Sequence, residues 1–109
     1  MNLERACKRL LGYIARRVRT KGHEIDFDST YLEELFLKQE GLCYYTKDEM
    51  KLGANSPKTL SVDRINSDLG YLKSNVCLTT WEVNNCKQHL SVGNFLALCQ
   101  KVVDNVKDK

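Results

Sequence analysis

Residues 60–87, LSVDRINSDLGYLKSNVCLTTWEVNNCK, decide how this chain folds. Leu60, Val62 and Ile65 place strand-forming side chains around Asp63, and the polar and glycine residues of NSDLGY that follow are those that reverse a chain. Residues 75–79 read as a second strand, so the segment predicts a hairpin. Beyond it, Thr79 or Thr80 is suited to cap a helix. The run WEVNNCKQHL sets Trp81, Asn84 or Asn85, and Gln88 one turn apart, which predicts a short helix.

In a strand-loop-strand-helix unit, an acid leaving the first strand can face an amide on the helix. Asp63 and Asn84 meet that description although they stand 21 positions apart. Both offer oxygen to a hard divalent cation such as Mg2+ or Mn2+. One carboxylate and one amide form a sparse shell, which water and a substrate phosphate oxygen would complete. Asn85 is the nearest rival to Asn84. The pattern points to phosphodiester chemistry.

Four short motifs carry a resemblance. C-x-x-T at 43–46, S-V-D-R-I-N at 61–66, G-Y-x-x-x-N-V at 70–76 and V-N-x-x-K at 83–87 together resemble the small HNH endonucleases of phages and their hosts. The likeness extends upstream through KGHEIDFDSTYLEELFLKQEG and downstream through LSVGNFLALCQKV, covering most of the chain. It implies a ββα-metal unit in which Asp63 and Asn84 hold the metal and Asn75 steadies the loop between the strands. In that family the slot after the aspartate usually carries the histidine that activates water. Here it holds Arg64. An arginine stays protonated at neutral pH and cannot take a proton from water, but it can clamp a phosphate oxygen and stabilise developing charge. The expected catalytic group is therefore Asp63, Arg64, Asn75 and Asn84.

The 109 residues fit one domain of α+β class: a helical lead-in at 1–40, the hairpin and helix core at 41–88, and a carboxy-terminal helix at 91–106. A net charge of +3 is too mild to imply nucleic-acid binding, but its distribution is informative. Residues 1–22 hold seven bases against Glu4 alone, whereas residues 23–50 hold eight acids against Lys38 and Lys47. Leu3, Cys7, Leu10, Leu11, Ile14 and Val18 recur at helical spacing in the first segment, predicting an amphipathic helix that ends near Gly22. Its basic face, with Arg5, Arg9, Arg16, Arg17 and Arg19, is either an ordinary solvated surface or a surface for duplex DNA backbone. Lys87 joins that set as a residue able to approach phosphate, and Lys51 and Lys58 are weaker additions.

Five cysteines, at 7, 43, 77, 86 and 99, include no C-x-x-C pair, so neither a complete disulfide framework nor structural zinc is expected. Apolar neighbours predict that each is a small buried hydrophobe, in a reducing, intracellular setting, the host cytoplasm if phage-encoded. No apolar run reaches membrane-spanning length. Thr30 and Glu33 fit a capping box ahead of an inward-facing Leu32, Leu35 and Phe36; LCYYT after Gly41 reads as a strand, and 47–58 as a loop. Trp81 and Val83 are expected to pack the short helix on the hairpin. The only histidines, His23 and His89, lie outside the usual base slot. Phe95, Leu96, Cys99, Val102, Val103 and Val106 predict an apolar stripe on the last helix.

These features predict a metal-dependent DNA endonuclease using Mg2+ or Mn2+. The alternatives are a catalytically weak or inactive DNA-binding protein on the same scaffold, and a module whose basic helix binds a host or phage protein. No segment identifies a dimer interface.

Overall fold

The computed structural model describes residues 2–22, 24–53 and 55–107, with the backbone alone considered at Lys21. His23, named above among the histidines, lies outside the described residues. The described residues are mixed α+β, with four α-helices and a two-stranded antiparallel sheet.

Helix α1 (Leu3–Lys21) begins where the Asn2 side chain accepts from the Arg5 amide at 2.9 Å, and it stops at Gly22, whose φ of 72° is the left-handed geometry that glycine adopts without penalty. Its apolar stripe buries Cys7 and Ile14 against α2 (Ser29–Lys38), where Leu32 is fully buried and Leu35 and Phe36 are partly so. The cap of α2 falls two residues earlier than the capping box at Thr30 predicts. Asp28, not Ser29 or Thr30, accepts from the Tyr31 amide at 3.1 Å, because a carboxylate beside the positive end of the helix dipole is at least as good a cap as a hydroxyl.

Strands β1 (Leu60–Arg64) and β2 (Val76–Thr80) pair in register, with Val62 opposite Leu78 and Asp63 opposite Cys77. Helix α3 (Trp81–Lys87) follows β2 directly and buries Val83. The backbone of Leu78 is held on its outer side by Gln39, whose amide both accepts from Leu78 N at 3.0 Å and donates to Leu78 O at 2.9 Å. On the outer side of β1, Asn84 and Lys87 of α3 donate to Val62 O at 3.1 Å and to Arg64 O at 3.0 Å. Residues three apart on one helix face thus meet carbonyls two apart on a strand, a match of helical and pleated repeats.

Four expectations are corrected. LCYYT is not a strand: Leu42 makes one isolated bridge to Glu49, and the chain folds back so that Cys43 N donates to Asp48 O at 2.8 Å, with Lys47 in the left-handed region at φ 65°. Trp81 does not pack on the hairpin but is 52% exposed. Cys7, Cys43 and Cys77 are buried and free, whereas Cys86 and Cys99 are free and exposed. Helix α4 (Val92–Val106) forms, capped by Ser91, but it has no buried residue and leaves Leu96, Val102, Val103 and Val106 in solvent. Only Phe95 packs on the core, edge-on to Tyr45 at 6.2 Å. Among the described residues, no helix is long and apolar enough to cross a membrane.

The link between α1 and α2 is clasped to the loop between the strands. Tyr71 N donates to Glu24 O at 2.9 Å, and a Cβ on Gly70 would sit 2.8 Å from that same oxygen. Gly70→Ala must therefore push the two segments apart. We expect it to cost about 1–3 kcal/mol, the usual range for overpacking, read as a lowered urea midpoint together with faster hydrogen exchange at Tyr71. An unchanged midpoint would mean that the clasp gives way without cost.

Candidate active site

Asp63 leaves the sheet as the fourth residue of β1 and is 3% exposed. Its carboxylate has three partners. Oδ2 accepts from the Tyr45 hydroxyl at 2.7 Å, and Oδ1 lies 3.2 Å from the Lys87 ammonium. Burial, and then the bond to Asp63, push the Tyr45 phenol far above its ordinary range, so it stays a donor. The Cys77 thiol lies 4.0 Å from Asp63 Oδ2; burial, and then the neighbouring carboxylate, raise it to about 12, and it remains a neutral thiol at physiological pH.

Lys87 corrects the expectation that it approaches phosphate. It is 0% exposed, and its ammonium donates to Asp63 Oδ1 and to Arg64 O. A lysine on the last turn of a short helix reads as a surface residue, but here its stem crosses the core to meet a buried acid. Each ion is desolvated and each is paired, so the pair itself contributes little net stability, whereas loss of one partner would strand the other.

Asn75 is 4% exposed and spans the loop between the strands. Its Oδ1 accepts from Asn66 N at 2.9 Å, and its Nδ2 donates to Asn66 O and Gly70 O, both at 2.9 Å. Arg64 closes the same loop from the other side, with Nη1 donating to Ser67 O at 3.0 Å and to Leu69 O at 3.2 Å, and its guanidinium 5.1 Å above the Tyr71 ring. Asn84 donates through Nδ2 to Ser61 Oγ at 2.7 Å and to Val62 O. Its Oδ1 has no partner among the described residues.

Asp63, Asn84, Arg64 and Arg17 line one small cleft together with Val62, Ser67, Tyr71 and Gln88. Its volume of about 30 Å³ is room for a water or a single ion. It opens beside a groove of about 600 Å³ whose walls include Tyr13, Arg17, Arg64, Trp81, Asn84 and His89. Of the five arginines expected on a DNA surface, Arg17 thus enters the site, and Arg9 lines an adjoining groove with Tyr13 and Leu52. Arg5, Arg16 and Arg19 are exposed on α1 without lining either. Lys51 is exposed, and Lys58 is committed to ion pairs with Asp48 and Glu82.

The fit of a divalent cation can be judged from the donors. Asp63 and the free Oδ1 of Asn84 supply two hard oxygens on one polar cleft of ionic size, which suits Mg2+ or Mn2+ carrying most of its water. Among the described residues, no cluster of three His, Cys, Asp or Glu side chains could hold a metal by itself. A protein shell built from these two groups would be sparse, and an ammonium already lies on its carboxylate.

Tyr13, Ser67 and Gln88 were not anticipated at the site. Tyr13 stacks under Arg17 at 6.0 Å, which follows from their spacing four apart on α1. Gln88 ends α3 at φ 48° and ψ −121°, a backbone conformation that non-glycine residues rarely adopt, and no feature of the sequence signals it. No family model, curated protein or solved structure matches the chain.

Proposed function

We propose that this chain is a divalent-metal-dependent endonuclease that hydrolyses DNA phosphodiester bonds on an HNH-like ββα-metal core built from β1, β2 and α3. The observation that carries the reading is the cleft in which Asp63 and Asn84 stand together between Arg17 and Arg64. Asp63 and Asn84 would hold Mg2+ or Mn2+, which when bound supplies positive charge for the phosphoryl oxygens and the leaving oxygen. Arg17 and Arg64 hold the phosphodiester at the mouth of the cleft, and the exposed Trp81 and Tyr13 offer flat faces along the groove for the sugar and base edges. His89 is the group on this groove with an imidazole nitrogen able to take a proton from water. Asn75 keeps the loop that presents Ser67, and Tyr45 keeps the Asp63 carboxylate oriented.

A second reading, a DNA-binding protein without cleavage, is favoured by the Lys87 ammonium on Asp63 and by the engagement of Arg64 with loop carbonyls. Supercoiled plasmid incubated with the protein and Mn2+ or Mg2+ separates the two. Nicking that disappears with EDTA and in Asp63→Asn is the result expected of the nuclease. Cutting equal in native and variant protein would trace to contamination, and a salt-dependent gel shift without cutting would select the second reading.

A further inference from the structure

The cleft carries more positive than negative charge before any metal enters it. Among the described residues lining the cleft and its groove, Asp63 is the only carboxylate, whereas Arg17 and Arg64 line both. The Lys87 ammonium, fully buried, already lies against Asp63 Oδ1. A cation approaching this site meets three positive side chains and one negative and is repelled on balance, whereas an anion is attracted. In a partly desolvated cleft, where screening is weak, that imbalance decides which ligand is accepted first.

We propose that the site fills in a fixed order, with a phosphodiester group bound first by Arg17 and Arg64 and the divalent cation admitted only alongside it, because Lys87 occupies the carboxylate that the cation needs. This rests on the nuclease reading and adds to it a role for Lys87 that no motif assigns. Lys87 is a positioning residue: it acts through Asp63 and does not touch the substrate. An arriving phosphate brings negative charge and an oxygen ligand, which together offset the repulsion and enlarge a shell to which the protein supplies two oxygens. Linkage then requires that DNA raise the affinity for metal by the same factor as metal raises the affinity for DNA. The chain would thereby avoid holding a loaded metal in the absence of substrate.

The test measures binding, with the full chain. Mn2+ affinity is read by the electron paramagnetic resonance signal of the free ion, without DNA and with a short phosphorothioate duplex, correcting for Mn2+ held by the duplex alone. Duplex affinity is read by fluorescence anisotropy in EDTA and in Mn2+. The native chain is expected to bind the duplex in EDTA, and to bind Mn2+ about 10- to 100-fold more tightly with the duplex than without it, a usual range for coupled sites. Lys87→Met is expected to bind Mn2+ without DNA about 10-fold more tightly than the native chain does, and to show correspondingly weaker coupling, since the phosphate oxygen alone then favours the metal. Adding Asp63→Asn to that variant should abolish its gain. Lys87→Gln, which keeps a donor for Asp63 and Arg64 O, serves where the methionine variant does not fold. Equal Mn2+ affinity of the native chain with and without duplex overturns the ordered filling and needs no variant. If that result accompanies Mn2+-dependent plasmid cutting, the nuclease reading stands without it. Absence of Mn2+ binding in the native complex and in the Lys87 variants alike overturns both.

Discussion

Asp63→Ala is expected to destabilise the chain by about 3–5 kcal/mol, the range for stranding one member of a buried ion pair, and to abolish Mn2+-dependent DNA cutting. Both losses have one origin. The carboxylate neutralises Lys87 and accepts from Tyr45, so its removal leaves a buried ammonium with no counter-ion but Arg64 O as acceptor, and a half-buried phenol without its acceptor. A small domain is stable by only about 5–15 kcal/mol, so urea unfolding must accompany any activity measurement. Asp63→Asn separates the effects, since its amide oxygen still accepts from Tyr45 while the negative charge is gone. Combining Asp63→Asn with Lys87→Met removes both charges and should restore much of the stability without restoring cleavage. If Asp63→Ala unfolds at the native urea concentration, the pair does not have the energetic role its burial assigns.

Asn75→Ala carries the second large effect. It deletes three hydrogen bonds, leaving Asn66 N unpaired and Asn66 O and Gly70 O with only their bonds from Leu69 N and Leu72 N, for which a loss of about 2–4 kcal/mol is expected. The damage should spread to the site, because the same loop supplies Ser67 O and Leu69 O to Arg64. Native-state hydrogen exchange can localise it. Asn75→Asp keeps the acceptor for Asn66 N and loses the two donors, so the Asn66 amide should stay protected there and lose protection in the alanine variant. Equal protection in both would show that the loop is held by other contacts.

How far the sequence could be read depended on whether the cause of each feature was local. The end of α1 at Gly22, the hairpin around NSDLGY and the burial of Leu32 and Val83 follow from neighbours a few positions away. Lys87 is the opposite case. Its burial depends on Asp63, 24 positions earlier, and a helical lysine carries no mark of such a partner. LCYYT has the composition of a strand and Tyr44 N does reach Leu78 O on the edge of β2, but Gln39 takes both backbone groups of Leu78 and the turn bonds of Cys43 and Lys47 prevail. The stripe on α4 was legible as periodicity, yet periodicity does not say what covers it, and here it faces solvent. Asp63, Asn75 and Asn84 could be picked out as a group, whereas the pairing that neutralises Asp63 could not.

The side-chain amides that hold the middle of the hairpin have a consequence for how the molecule meets others. Two-stranded ribbons normally present open edges onto which a foreign strand can add. Here Gln39 occupies both backbone groups of Leu78 on one edge, while Asn84 and Lys87 take the carbonyls of Val62 and Arg64 on the other. Strand addition at the centre of this sheet would require breaking those bonds first. The middle of the ribbon is thus closed to strand addition by side chains of its own chain.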